Sequence, residues 1–87
     1  MNLEVVKNIH FSKLVKSSDR LREFNFRKVG GASGGYFHVD VPDDRGNRII
    51  FQMYKNDGQW RIADEYVPNW IAALEDQFSE VIEGEIE

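Results

Sequence analysis

The sequence contains no cysteine, and this single absence excludes several kinds of chemistry. Disulfide bridges, thiolate zinc sites and cysteine nucleophiles all require that residue. Stability must therefore come from packing, and a chain of 87 residues buries roughly 60–65% of the surface that its unfolded form exposes. That supports one core, so we predict a single domain over residues 1–84, followed by a frayed acidic tail at 85–87.

Long apolar runs are missing as well. No window approaches the roughly 18 apolar residues that a membrane span needs, and the N-terminal residues carry Glu4 and lack the apolar stretch of a signal peptide. The sequence therefore predicts a cytoplasmic protein that has no membrane partner. Hydrophobic residues still make up 41% of the chain, which is typical of a folded domain rather than a disordered one.

Alternation of apolar and polar residues predicts a series of strands. The alternating segments are 9–13, 21–29, 36–41, 48–55 and 60–64. Turn-forming residues separate them at 17–19, in the glycine-rich segment 30–35, at 42–47 and at 56–59. Residues 14–16 interrupt the alternation, which indicates a bulge or the end of the first strand. Residues 3–6 fit either an extra edge strand or a helical turn.

The period changes near Pro68, which suits the first turn of a helix. Apolar residues then follow at helical spacing, namely Ile71, Leu74, Phe78 and Val81. The carboxylates of this segment are predicted to face solvent, and Gly84 is predicted to end the helix. The fold class is therefore α+β, with a curled antiparallel sheet of four to five meander strands covered on one face by a C-terminal α-helix.

One strand carries the best polar pair of the chain. His38 and Asp40 are two residues apart, so both side chains project from the same face, where the carboxylate could fix the tautomer of the imidazole. Tyr36 shares that face, and Gln52 and Tyr54 join it if the next strand pairs in a simple hairpin register. These five residues form the predicted binding site.

Basic residues offer an alternative site for single-stranded nucleic acid. Lys13, Arg22 and Arg27 lie in the first two predicted strands, with aromatic residues interleaved. Cationic grooves with stacking platforms are typical of single-strand binders. Residues 1–48 carry nine Lys and Arg against six Asp and Glu, whereas residues 49–87 carry two against nine. The net charge of −4 weakens this alternative.

Catalysis is the third hypothesis. It would use His38 and Asp40, and it needs a pocket that the open face of a small sheet does not provide. His10 and His38 lack the spacing of metal ligands, and residues 30–35 precede a strand rather than the helix that a phosphate-binding loop requires. We therefore predict neither a catalytic residue, a metal site nor a cofactor.

The sequence favours a small non-catalytic binding or interaction module that uses an open sheet face or edge. Its predicted partner is a protein, nucleic acid is the alternative, and the expected state is a monomer or weak homodimer.

Overall fold

The computed structural model describes residues 9–17, 20–30, 35–64 and 66–86. Within these ranges, five strands are followed by two helices. The strands are β1 (His10–Ser17), β2 (Arg20–Val29), β3 (Tyr36–Pro42), β4 (Arg48–Asn56) and β5 (Gln59–Ile62). The helices are α1 (Asn69–Ala72) and α2 (Glu75–Ile86). Three predicted segments lie outside the described residues: the edge strand or helical turn at 3–6, the tip of the first turn at 18–19 and the centre of the glycine-rich segment at 31–34.

The strands form one antiparallel sheet in which each strand pairs with its neighbour in the chain, in the order β1-β2-β3-β4-β5. The sheet curls into a half-barrel, and the C-terminal helix packs against it, so the predicted fold class is confirmed. The turn between β4 and β5 contains Asp57 and Gly58 with φ of 52° and 81°. This is the left-handed conformation that the Asp-Gly pair favours in short hairpins.

Alternate side chains of the sheet point to the helices and build the core. Phe24, Phe37 and Phe51 are completely or almost completely buried, and each belongs to a different strand. Phe78 of α2 packs against two of them, with its ring centroid 4.9 Å from that of Phe24 and 5.7 Å from that of Phe51. The core therefore lies between the concave side of the sheet and α2.

The first strand is longer and more regular than predicted. It continues to Ser17 in unbroken register with β2, pairing Leu14 with Glu23 and Val15 with Arg22. Val15 is buried and Leu14 is 60% exposed, so the strand keeps its alternation and places an apolar residue on the solvent side. The prediction of a bulge or strand end at 14–16 is wrong, because the irregularity lies in residue type and not in the backbone.

The predicted single helix is two helices. Pro68 is the N-cap residue of α1, and the chain tightens after Ala72, where the Leu74 amide donates to the Ile71 carbonyl oxygen at 2.9 Å. This is a bond to the third preceding residue rather than the fourth. The second helix continues through Gly84 to Ile86, because Ile86 is half-buried against the core. The expected stop at Gly84 is therefore wrong, and residues 85 and 86 are helical.

The acidic residues of α2 do not all face solvent as predicted. A carboxylate oxygen of Glu75 accepts a hydrogen bond from the Ile62 amide at 2.7 Å, and Glu83 accepts one from the Trp60 indole N–H at 2.8 Å. These two side chains fasten α2 to β5. Within the described ranges, no helix combines the length and the apolar character needed to cross a membrane.

Candidate binding face

The side of the sheet turned away from α1 and α2 is called the outer face here. It carries the side chains that alternate with the core residues. All five residues of the predicted site project from it, because His38 pairs with Gln52 in the simple hairpin register that the prediction required. The outer face thus brings together Tyr36, His38, Asp40, Gln52 and Tyr54.

An aromatic pair occupies one end of this group. The rings of Tyr36 and Tyr54 are stacked with centroids 5.0 Å apart and an angle of 27° between their planes. The Tyr54 hydroxyl lies 3.3 Å from the Gln52 side-chain oxygen and donates to it. Tyr54 is 42% exposed, so its ring presents an aromatic surface to solvent. The stacking on Tyr36 and the hydrogen bond to Gln52 both restrict the orientation of this ring.

Polar side chains are linked across four strands at the centre of the outer face. The Ser12 hydroxyl donates to the Asn25 Oδ1 atom at 2.6 Å, and the Asn25 amide donates to the Asp40 Oδ1 atom at 3.0 Å. The same Asp40 oxygen accepts from the Arg48 guanidinium. We call this chain of four residues the polar ladder. Linked hydrogen bonds of this kind restrict the side-chain rotamers of all their members.

Asp40 therefore has different partners from those predicted. Its hydrogen bonds go to Asn25 and Arg48, and not to His38. On the neighbouring strands, His38 pairs with Arg27 on one side and with Gln52 on the other. The arrangement offers hydrogen-bond donors, one carboxylate and two imidazoles to a ligand, but it does not assemble a carboxylate–imidazole pair.

A shallow depression with a volume of about 390 Å³ lies beside the polar ladder. Its lining consists of two guanidinium groups, two imidazoles, one amide, one carboxylate and one apolar side chain. These belong to His10, Asn25, Arg27, His38, Asp40, Arg48 and Ile50. Five of these residues are absent from the predicted binding site, because they belong to β1, β2 and β4. The signal that could have found them is the pairing register, which aligns His10, Arg27 and His38 in one row.

The three residues of the predicted nucleic-acid site do not all lie on one side of the sheet. Lys13 pairs with Phe24 and so projects on the core side of the sheet, whereas Arg27 pairs with His38 on the outer face. Arg22 also lies on the core side, where its guanidinium carbon is 4.4 Å from the centroid of the Trp70 ring. A nitrogen of the same guanidinium lies 3.1 Å from a carboxylate oxygen of Asp44.

Metal ligands do not cluster in the part of the chain that the structure describes. No group of three or more His, Asp, Glu or Cys side chains there has the geometry to hold an ion. Comparison of the chain with protein-family models, curated proteins and solved structures finds no match. The chemistry of the outer face must therefore be interpreted from its own residues.

Proposed function

We propose that this domain is a non-catalytic binding module that docks a partner protein on its outer face. The observation that carries the proposal is the composition of that face. Two arginines and the exposed Ile50 line a depression, and the stacked pair of Tyr36 and Tyr54 lies on the same face, whereas the helices cover the opposite side of the sheet. Tyr and Arg are the residue types enriched at the energetic centres of protein interfaces.

Exposed apolar surface supports a macromolecular partner. Ile50 is 55% exposed and lines the depression, and its partner on β3 is the polar residue Asp40. Docking would bury this side chain together with the outer part of the Tyr54 ring. At roughly 25 cal/mol per Å² of apolar area, such burial favours association.

Preorganisation of the face supports the same proposal. The polar ladder and the stacked tyrosines hold their side chains in fixed conformations before a partner arrives. Immobilising a flexible side chain on binding costs about 0.5–1.5 kcal/mol, and this cost is reduced when the rotamers are already restricted.

A catalytic role has less support. The depression lies on the open side of a sheet, and its one carboxylate, that of Asp40, already accepts hydrogen bonds from Asn25 and Arg48. General acid–base chemistry requires a titrating group within hydrogen-bond reach of a substrate that is held in a defined pose.

Single-stranded nucleic acid is the second candidate. The exposed ring of Tyr54, stacked on Tyr36, could stack with a base, and Arg27 and Arg48 could contact phosphates. Binding would then use the outer face rather than the predicted trio of Lys13, Arg22 and Arg27. The net charge of −4 argues against this candidate.

Position-specific photo-crosslinking tests the leading proposal. A photoreactive amino acid at Gln52 samples the outer face, and one at the exposed Gln77 of α2 is the matched control. We expect a defined protein adduct from position 52 that disappears when Ile50→Asp is added, and no such adduct from position 77. Equal yields from both positions, or an adduct that persists with Ile50→Asp, would overturn the proposal.

An oligonucleotide titration separates the two candidates. Amide NMR spectra are recorded with a mixed-sequence single-stranded oligonucleotide at low and at moderate salt. Salt-sensitive shifts at Arg27, Tyr36 and Tyr54 would identify nucleic acid as the partner in place of a protein, because phosphate contacts release counterions and so weaken with salt. The absence of shifts would leave the protein-binding proposal in force.

A cytoplasmic location and a monomeric or weakly dimeric state belong to the same proposal. Cell fractionation tests the location, and sedimentation tests the oligomeric state.

A further inference from the structure

The two edges of the sheet are treated differently by the rest of the molecule. At the β5 edge, the Trp60 amide donates to the Ser79 hydroxyl at 3.0 Å, and the Ile62 amide donates to a Glu75 carboxylate oxygen at 2.7 Å. Both acceptors are side chains of α2. The helix therefore occupies the hydrogen-bonding positions that another strand would need at this edge.

The β1 edge has a defined set of backbone groups that point away from the sheet. The Lys28 amide donates to the Ile9 carbonyl oxygen at 2.9 Å, so the backbone groups of Ile9 face β2. In an antiparallel ladder this direction alternates along the strand. Residues 11, 13 and 15 therefore also face β2, whereas Ser12, Leu14 and Lys16 direct their N–H and C=O groups outward. Within the described residues, no strand pairs with that side of β1.

The charged side chains of this edge strand are lysines, and apolar side chains lie between them. β1 contains Lys13 and Lys16 and no acidic residue. Leu14 and Leu21 are each 60% exposed, and they are diagonal neighbours on the outer face because Leu14 pairs with Glu23 and Lys16 with Leu21. An added strand would thus meet an apolar contact at Leu14 and one ammonium group on each face of the sheet.

We propose that β1 is a β-augmentation site for an extended acidic segment of a partner protein. The segment would add a sixth strand, with apolar side chains beside Leu14 and Val15 and carboxylates beside Lys13 and Lys16. Lysine on an edge strand discourages pairing with most other strands, whereas a carboxylate opposite the lysine on the added strand stabilises the pairing. A second copy of β1 fits less well, because it would add two more lysines to the same edge. This site is separate from the outer-face depression and goes beyond the proposed function.

A synthetic peptide tests the site directly. The probe is the end-capped peptide Thr-Glu-Val-Val-Glu-Thr-Val, which places Glu beside Lys16 and Lys13 when it runs antiparallel to β1. The control is the same peptide with Lys in place of Glu. At saturation with the Glu peptide, we expect amide hydrogen exchange to slow by about tenfold or more at Ser12, Leu14 and Lys16. Phe11, Lys13 and Val15 should change little, because their amides already face β2.

Two variants separate backbone pairing from simple charge attraction. Leu14→Pro removes one outward N–H and is compatible with an edge strand, whereas Leu14→Ala keeps that N–H. We expect the proline variant to lose the alternating protection and the alanine variant to retain it. The double variant Lys13→Glu with Lys16→Glu should bind the Lys peptide in preference to the Glu peptide, and it keeps the test decisive if the proline variant does not fold.

Several outcomes would overturn the proposal. These are protection without alternation, equal binding of the two peptides, and an unchanged preference after charge reversal. Protection of Ser12, Leu14 and Lys16 in the free protein would also overturn it. If that protection rises with protein concentration, the occupant is a second copy, and if it does not, the occupant is another segment of the same chain.

Discussion

The carboxylate of Glu83 in α2 contacts residues of both β4 and β5. It accepts the Trp60 indole N–H at 2.8 Å and lies 3.2 Å from the Lys55 ammonium nitrogen. The hydrogen bond from Trp60, together with that from Lys55, lowers the pKa of Glu83 below the ordinary value of 4.5. A buried indole N–H needs an acceptor, so Glu83 satisfies the polar end of the largest side chain at the β5 edge.

The lowered pKa of Glu83 predicts a contribution to stability that depends on pH. Because the folded-state pKa lies below the unfolded-state pKa, the contribution is fully present above about pH 4.5 and decreases as the pH falls below that value. It is gone once the pH is below the folded-state pKa. Urea unfolding midpoints measured against pH should therefore differ between wild type and Glu83→Gln at neutral pH and converge in acid.

The Trp60 indole resonance gives an independent reading of the same group. Its N–H chemical shift should follow the ionisation of Glu83, and the inflection should be absent in Glu83→Gln. An indole shift that titrates identically in wild type and variant would assign the pH effect to another carboxylate.

At the scale of elements, α2 seals β5 by means of side chains rather than backbone. Ser79 is buried, and its hydroxyl is the acceptor for the outward-facing Trp60 amide. Glu75 performs the same role for Ile62. The helix therefore satisfies backbone groups that a sheet edge normally leaves to water.

Removal of the Ser79 hydroxyl should destabilise the domain. Ser79→Ala leaves the Trp60 amide buried without an acceptor, which costs about 1–3 kcal/mol. Ser12→Ala is the matched control, because its hydroxyl also makes one side-chain hydrogen bond, but at an exposed position on the outer face. We expect urea unfolding to show a change within about 0.5 kcal/mol for the control. Equal effects of the two substitutions would contradict the sealing role of Ser79.

The strands could be predicted from the sequence because alternation is a local signal. Burial of Phe24 and Phe26 on one side of β2 follows from their spacing alone. The division between α1 and α2 could not be predicted, because it depends on a backbone bond from the Leu74 amide to the Ile71 carbonyl oxygen that the continuous apolar spacing does not reveal. Continuation of α2 past Gly84 likewise depends on the packing of Ile86 against a core that is distant in sequence.

The sequence could predict which residues of the candidate site lie on one face, because that also follows from alternation along a strand. Tyr36, His38 and Asp40 share a face by strand geometry, and the short connection to β4 adds Gln52 and Tyr54. The polar ladder could not be predicted, because its four residues lie on four strands and are linked only through the register of three strand pairs. Their binding role stays a prediction.

At the scale of the whole molecule, one aromatic core holds the sheet and helices together. Phe78 contacts aromatic rings from three positions on the sheet, with centroid distances between 4.9 and 6.0 Å. Leu74 precedes it by one helical turn and is also buried. Most of the buried apolar side chains in the described part of the chain therefore lie in a single layer between sheet and helix.

Truncation within this layer should cost a large share of the total stability. We expect Phe51→Ala to lower the free energy of unfolding by about 3–5 kcal/mol and Leu74→Ala by about 2–5 kcal/mol. Tyr66→Ala is the control, because Tyr66 is 93% exposed, and its effect should stay within about 0.5 kcal/mol. Urea unfolding measures all three. Unchanged stability in both core variants would show that the layer between sheet and helix is not the core.

The order of elements along the chain has a consequence for synthesis on the ribosome. Neighbouring strands pair in sequence, so the hairpins can close soon after each one leaves the exit tunnel. The helical side chains that pack on Phe24 and Phe51 are Trp70 of α1 and Phe78 of α2, and both helices are made after every described strand. A nascent chain that has completed β5 thus carries an uncovered aromatic surface. Chaperones that bind apolar segments can bind this surface until Phe78 and Ile82 emerge from the ribosome.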